Sequence, residues 1–416
     1  MLSWYRMRCA RRAAGGLALA LLILVLGNGS GVYSPVDVAA APYRFGLLKW
    51  ELSNAPDKWW HKLASLLPWD SQSREERRHQ LLDFFELGEE IRSQEGELEQ
   101  CVALGPVSSC AELETIRDRL DGLIGRHETS SAAAQAILES EIGSVLEAQG
   151  LDSAFGVLFP PVDLVFTDLP LVLVVSPRGR IQRQSTVLLR SSIELEDMER
   201  LERKLFQEQD LAALVLGTGG VATYPSIVSG KRGLFSAADT GTHEWLHQYW
   251  FFRPLGWNYF ANEAMTTLNE TAADLAGAEL ARFIYQAITG EAAPLPEDET
   301  RGVEEEDPSV FDFDQEMRKT RLEVDLLLGQ GRIEEAEAYM EQRRLTFVQN
   351  GFPIRKLNQA YFAFHGTYGS SPASVSPSQR QLERLRASVG TVGEFIRTVA
   401  RFGSYAEFER YVYELP

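Results

Sequence analysis

Thr242-His243-Glu244-Trp245-Leu246-His247-Gln248 and, further on, Leu268-Asn269-Glu270-Thr271-Ala272-Ala273-Asp274 are the two stretches on which the reading of this chain turns. Both fall in segments, 237–252 and 260–289, whose apolar spacing predicts helices. His243 and His247, at i and i+4, share one helix face and stand close enough for both imidazoles to bind a single metal ion. Glu244, beside the first of them, can then reach a water at that metal and act as general base. A catalytic zinc ion needs a third protein ligand so that its fourth position stays open to water. On the second helix Glu270 and Asp274 are one turn apart and can face the same partner helix. Glu270 is the expected ligand. Asp274 is expected to accept a hydrogen bond from the free ring nitrogen of a ligand histidine, His243, and so fix its tautomer. A charged pair among Leu, Ala and Gly on an apolar helix otherwise lacks a reason.

Upstream of the first motif the pattern is one of short β-branched runs. Residues 162–166, 171–176, 186–190, 211–216 and 221–228 read as strands, with a helix over 195–208 between the third and fourth. The cluster Gly217-Thr218-Gly219-Gly220 lacks the spacing and the following Lys-Ser/Thr of a phosphate-binding loop, and it reads as a tight turn. Downstream everything looks helical, including 314–328, 333–350 and 354–368. The acidic, proline-bearing stretch 291–308 reads as an exposed loop. Leu81, Leu82, Phe85, Ile91 and Leu98, then Leu113, Ile116, Leu120, Leu123 and Ile124, recur at helical spacing and make 73–150 helical. The expected fold class is α+β, mostly helical. It divides into an N-terminal membrane anchor or signal peptide (1–32), a helical domain (33–150), a small mixed β-sheet subdomain (151–235) and a helical metal-binding subdomain (236–416).

With 41 Lys+Arg against 59 Asp+Glu among 416 residues, the chain carries a net charge of -18. It lacks the basic footprint of a nucleic-acid binder, so nucleic acid is excluded as a partner. A hydrophobic share of 44% with 24% charged residues is a globular balance and excludes wholesale disorder. Arg6, Arg8, Arg11 and Arg12 precede an uncharged, mostly apolar run over 13–27, which extends to Val32 if Asn28 and Ser30 sit near the interface. The expectation is an uncleaved single-pass anchor with the arginines held in the cytoplasm and the rest outside. The alternative is signal-peptide cleavage near Val38–Ala41 followed by secretion. Cys101 and Cys110 flank the turn signal Gly105-Pro106, and a disulfide between them is expected in an oxidising compartment. Trp50, Trp59, Trp60 and Trp69 follow the anchor and suit either core or membrane surface.

His243-Glu244-Trp245-Leu246-His247 followed by Asn269-Glu270 through Asp274 resembles the gluzincin metallopeptidases, the thermolysin-like clan. The likeness spans roughly residues 210–280 and points to a broad mechanistic clan. It implies that His243, His247 and Glu270 bind one Zn2+ per chain, with Glu244 as base and Asp274 supporting a ligand histidine. In that clan a sheet precedes the first active-site helix and its edge strand holds substrate backbone, a place that 221–228 would fill. Glu263, in Asn262-Glu263-Ala264, is the alternative ligand, because the aminopeptidase branch carries its ligand in a similar setting. Clan members also supply a downstream His or Tyr to the oxyanion, which here points to His365 and Tyr368. The function expected is that of a membrane-anchored or exported zinc metallopeptidase, endo- or aminopeptidase, acting on a peptide or protein substrate. The alternative is an exported binding protein or scaffold with a non-catalytic metal site.

Overall fold

The computed structural model describes residues 33–47, 50, 73–103, 113–153, 156–294 and 311–415. The expected anchor over 1–32, Trp59, Trp60, Trp69, His61, Cys110, the side chain of Cys101 and most of the acidic loop lie outside the described residues. Among the described residues, no helix is long and apolar enough to cross a membrane.

Helix α1 (Pro35–Ala40) begins at Ser34, whose hydroxyl accepts the Asp37 N–H while the Asp37 carboxylate takes the Ser34 N–H. Two long helices follow, α2 (Arg74–Ala103) and α3 (Leu113–Ala148), and they pack along each other. The strands come next: β1 (Leu164–Phe166), β2 (Leu171–Pro177) and β3 (Ser185–Leu189), then helix α4 (Leu195–Gln209), β4 (Leu211–Gly217) and β5 (Ser226–Val228). Strands β3-β2-β4 form an antiparallel sheet, and β1 pairs with β5 in parallel. The remainder is helical: α5 (Leu234–Phe251), α6 (Pro254–Trp257), α7 (Glu263–Thr289), α8 (Phe313–Gly329), α9 (Ile333–Gln349), α10 (Gln359–His365), α11 (Ser378–Ala387), α12 (Val392–Val399) and α13 (Tyr405–Tyr413). The fold is α+β and mostly helical.

Strand alternation explains how the sheet is used on both faces. Leu173 and Val175 of β2 face a core completed by α1 and α4, whereas Val172 and Val174 face Ala360, Tyr361 and Phe364 at α10. Glu202 fixes that second layer. Buried in α4, it accepts the Val215 N–H at 2.8 Å and holds Arg355 at 2.5 Å and Lys356 at 2.8 Å. Burial opposes its charge, but the two cations and the backbone N–H hold its carboxyl below the usual range. The segment leading into α10 is thereby tied to the sheet, and α10 carries His365 into the site described below.

Three features depart from the sequence expectation. Residues 33–150 do not pack as a body apart, because Leu81, Phe84 and Phe85 of α2 and Ile137 to Leu146 of α3 share one core with Trp245, Trp250 and Leu280. The change in pattern at Gly150 marks a change of secondary structure within that core. The strand expected over 221–228 is confined to Ser226–Val228. Pro225 has no N–H to give a ladder, and Val221 exchanges both backbone hydrogen bonds with Ile227 at 3.1 Å, folding the stretch back on itself. The helix expected over 354–368 covers only Gln359–His365, because the Asn358 side chain accepts the Tyr361 N–H at 3.1 Å and starts the helix there.

Candidate metal centre

Helices α5 and α7 pack more extensively than any other pair, and small residues allow their close approach. A Cβ placed on Gly277 would lie 3.3 Å from Asp239 Oδ1 and 3.4 Å from the His243 nitrogen. The far side of α5 is fixed in the core by Trp245, whose indole N–H donates to the Pro160 carbonyl at 2.9 Å, and by Trp250, which donates to Ile396 at 3.3 Å. Both faces of the helix are therefore committed, and His243, Glu244 and His247 are aimed in one direction.

His243, Glu244 and His247 form a cluster that could hold a metal ion. The two histidine Nε2 atoms are 3.0 Å apart, and each lies 3.5 Å from Glu270 Oε2. Zinc bonds of about 2.0–2.1 Å at tetrahedral angles put neighbouring donors about 3.3–3.4 Å apart. These three atoms match one face of such a tetrahedron, so the donor set fits zinc in kind and in spacing. The other ring nitrogens are engaged as a ligand role requires. His243 Nδ1 lies 3.1 Å from Asp274 Oδ1, and His247 Nδ1 lies 2.9 Å from Asn269 Oδ1. With the rings neutral, as metal binding requires, donation from each Nδ1–H would leave both Nε2 lone pairs for the shared point.

Electrostatics concentrate here. Burial opposes the Glu270 charge, but His247 and His243 hold its carboxyl well below the ordinary range. Burial likewise opposes charge on His243, yet Asp274 and Glu270 beside it push its imidazole well above the ordinary value. Glu244, 7% exposed, is pushed up by burial, the direction a general base needs in order to work near neutral pH. Asp239, one turn before His243, is raised by burial to about 6.

The cluster forms part of the wall of a cavity of about 1250 Å³. Val172, Thr186 and Leu188 line it from the sheet, residues 217–224 from the loop after β4, and Phe364, His365 and Tyr368 from α10 and beyond. Gln248 secures that loop by donating to the Thr223 carbonyl and, at 2.8 Å, to Ser226 Oγ. Gly220 within it approaches so closely that a Cβ there would sit 2.7 Å from Glu244 Oε1. His365 packs against Tyr361 with ring centroids 4.3 Å apart, and burial lowers its pKa to about 4, so its imidazole is neutral at pH 7. Burial pushes Tyr368 well above the ordinary phenol value, with the charges of Glu270, Asp274 and Glu244 adding to the effect, so its hydroxyl keeps its proton.

Glu263 is placed elsewhere. It is exposed in the first turn of α7, just after the Asn262 cap, where a carboxylate complements the helix N-terminus. Seven residues put it about 10 Å along the axis from Glu270, and it does not line the cavity. The alternative ligand is thus corrected: the Asn262-Glu263 pair serves helix initiation.

Sequence reasoning missed Tyr259. Its hydroxyl donates to Glu270 Oε1, and its ring stands edge-on to His247 at 6.0 Å. The only local signal was the aromatic run Trp257-Asn258-Tyr259-Phe260 between the two motifs, and no spacing rule assigns a loop phenol to a ligand. Asn269 was visible inside the second motif without a role, and Arg183 carried no signal at all.

Asp274 gives a prediction that separates orientation from ligation. Asp274→Ala should weaken metal affinity about 10–100-fold, measured by competition with a chromophoric chelator. Wild-type affinity in that variant would remove its hold on His243 from the account. Comparison of the chain with protein-family models, with curated proteins and with solved structures returns no match.

Proposed function

We propose that the protein is a zinc-dependent metallopeptidase held at or exported across a membrane by its N-terminal segment. The observation that carries this reading is the meeting of His243, His247 and Glu270 at one point, with the buried carboxylate of Glu244 alongside, in the wall of a large cleft. Zinc held by His243, His247 and Glu270 would supply Lewis acidity there, polarising a scissile carbonyl and easing the deprotonation of water. Glu244 accepts the proton of the attacking water at its carboxylate and returns it to the leaving amine. Tyr368, protonated and facing the cleft, offers its hydroxyl to the oxygen on which negative charge develops. His365, neutral and packed against Tyr361 with the rings tilted, supports that wall. Phe251, Phe252, Trp257 and Phe260 line the cleft and favour substrates with apolar side chains. The four arginines ahead of the apolar run orient the catalytic part away from the cytoplasm.

Elemental analysis of the purified full chain, paired with a peptide-library digest, tests the reading. About one zinc per chain is expected, with cleavage abolished by a chelator and restored by zinc. Folded protein that takes up no zinc would sink the proposal; zinc without cleavage would leave a binding protein or scaffold.

A further inference from the structure

Arg183 stands just ahead of β3 and lines the cleft. Several partly buried arginines elsewhere in the chain hold carboxylates: Arg178 bonds Glu337 and Asp210, Arg355 bonds Glu202, and Arg386 bonds Glu279; others, such as Arg78 and Arg253, donate to backbone carbonyls. Arg183 is different. Its one side-chain hydrogen bond among the described residues runs from Nη2 to the Tyr259 hydroxyl at 3.5 Å. That hydroxyl already donates to Glu270, so it offers the guanidinium only a long, neutral contact. A guanidinium has five N–H donors in a rigid fork that matches a carboxylate. Among the described residues most of them have no hydrogen-bond partner, in a cleft lined in part by Phe251, Phe252 and Phe364. The negative charge of Glu270 acts on Arg183, but that carboxylate is engaged by the two histidines.

We propose that Arg183 is a carboxylate-binding subsite of the cleft and fixes where a substrate is cut. The guanidinium stands one phenol beyond the metal ligand Glu270. Extended peptide advances about 3.3–3.6 Å per residue, so a carboxylate on Arg183 belongs to a residue one or two positions from the scissile bond. The carboxylate is either the α-carboxylate of a peptide C-terminus or the side chain of Asp or Glu. This inference rests on the peptidase reading for the meaning of the subsite, but not for its existence.

Binding to zinc-loaded Glu244→Gln protein, followed by fluorescence anisotropy, tests it without turnover. The probes are N-terminally labelled peptides in matched pairs, free acid against C-terminal amide and internal Glu against Gln. One exchange should weaken binding by about 30-fold or more. Adding Arg183→Gln should erase that difference while zinc content stays the same, and Arg183→Lys should keep part of it. A free-acid preference identifies a C-terminal carboxylate, and a Glu preference identifies a side chain; either supports the subsite. Equal affinity in both pairs, absence of binding by every peptide, or a preference that survives Arg183→Gln overturns it. The wild-type pairs decide alone if the variant does not fold. Carboxylate-dependent binding without hydrolysis by the wild-type chain would sink the peptidase reading and leave the subsite standing. Hydrolysis with no carboxylate preference would do the reverse.

Discussion

Glu270→Ala should strip zinc from the protein, whereas Glu263→Ala should leave it bound. The Glu270 carboxylate is 6% exposed and reaches both histidine Nε2 atoms with one oxygen while the other accepts from Tyr259. Its removal leaves only the two imidazoles, 3.0 Å apart, of the three donors of that face. Loss of an orienting residue weakens a metal about 10–100-fold, and loss of a ligand should exceed that range. Glu263 faces solvent two turns away, so its substitution should cost only a helix-end contribution of about 0.3–1 kcal/mol. Elemental analysis of the two variants beside the wild type checks both halves. Full zinc occupancy in folded Glu270→Ala would remove the third ligand and the geometric fit with it. Loss of zinc in Glu263→Ala alone would reverse the assignment.

The contrast between these two glutamates shows what a sequence can carry. Both lie on one helix, in similar Asn-Glu settings, and periodicity puts them on a common face. What separates them is depth: Glu263 follows the cap of α7, and Glu270 sits where Gly277 and its alanine neighbours let α5 come close. The i, i+4 spacing made His243 and His247 legible, because the helix alone sets their separation. The same holds for Glu270 and Asp274, one turn apart. Tyr259 and Arg183 were not legible, since a loop phenol and a residue ahead of a strand meet at the metal cluster only through tertiary packing. The strands and most helices followed from apolar patterning, and the failures occurred at Pro225 and Asn358, where one residue's backbone chemistry overrode the pattern. The joining of 73–150 to the main core was hidden for a related reason. An apolar helix face announces that it is buried but not against what.

If the proposed peptidase reading holds, Glu244→Gln should lower kcat/KM for any peptide the chain cleaves by about 100–10,000-fold while zinc content stays at the wild-type level. The substitution keeps the shape of the side chain and removes only its capacity to accept a proton at the reacting water. Because Glu244 is not needed to complete the donor face of His243, His247 and Glu270, metal and activity should part company in this variant. Gly220 sharpens the argument. Its backbone closes over Glu244 so tightly that a Cβ would meet Oε1 at 2.7 Å and would also press on Thr240 Cγ2. Gly220→Ala therefore has to displace either the loop, which Gln248 holds through Thr223 and Ser226, or the carboxylate itself. It should lower turnover in the same direction with zinc retained, though by less, since a shifted carboxylate still accepts a proton. Steady-state kinetics alongside metal analysis separates the outcomes. Activity in Glu244→Gln within about tenfold of wild type, below the usual range for a general base, would assign proton transfer to another group. Unchanged turnover in Gly220→Ala would mean that the loop, and not the base, gives way.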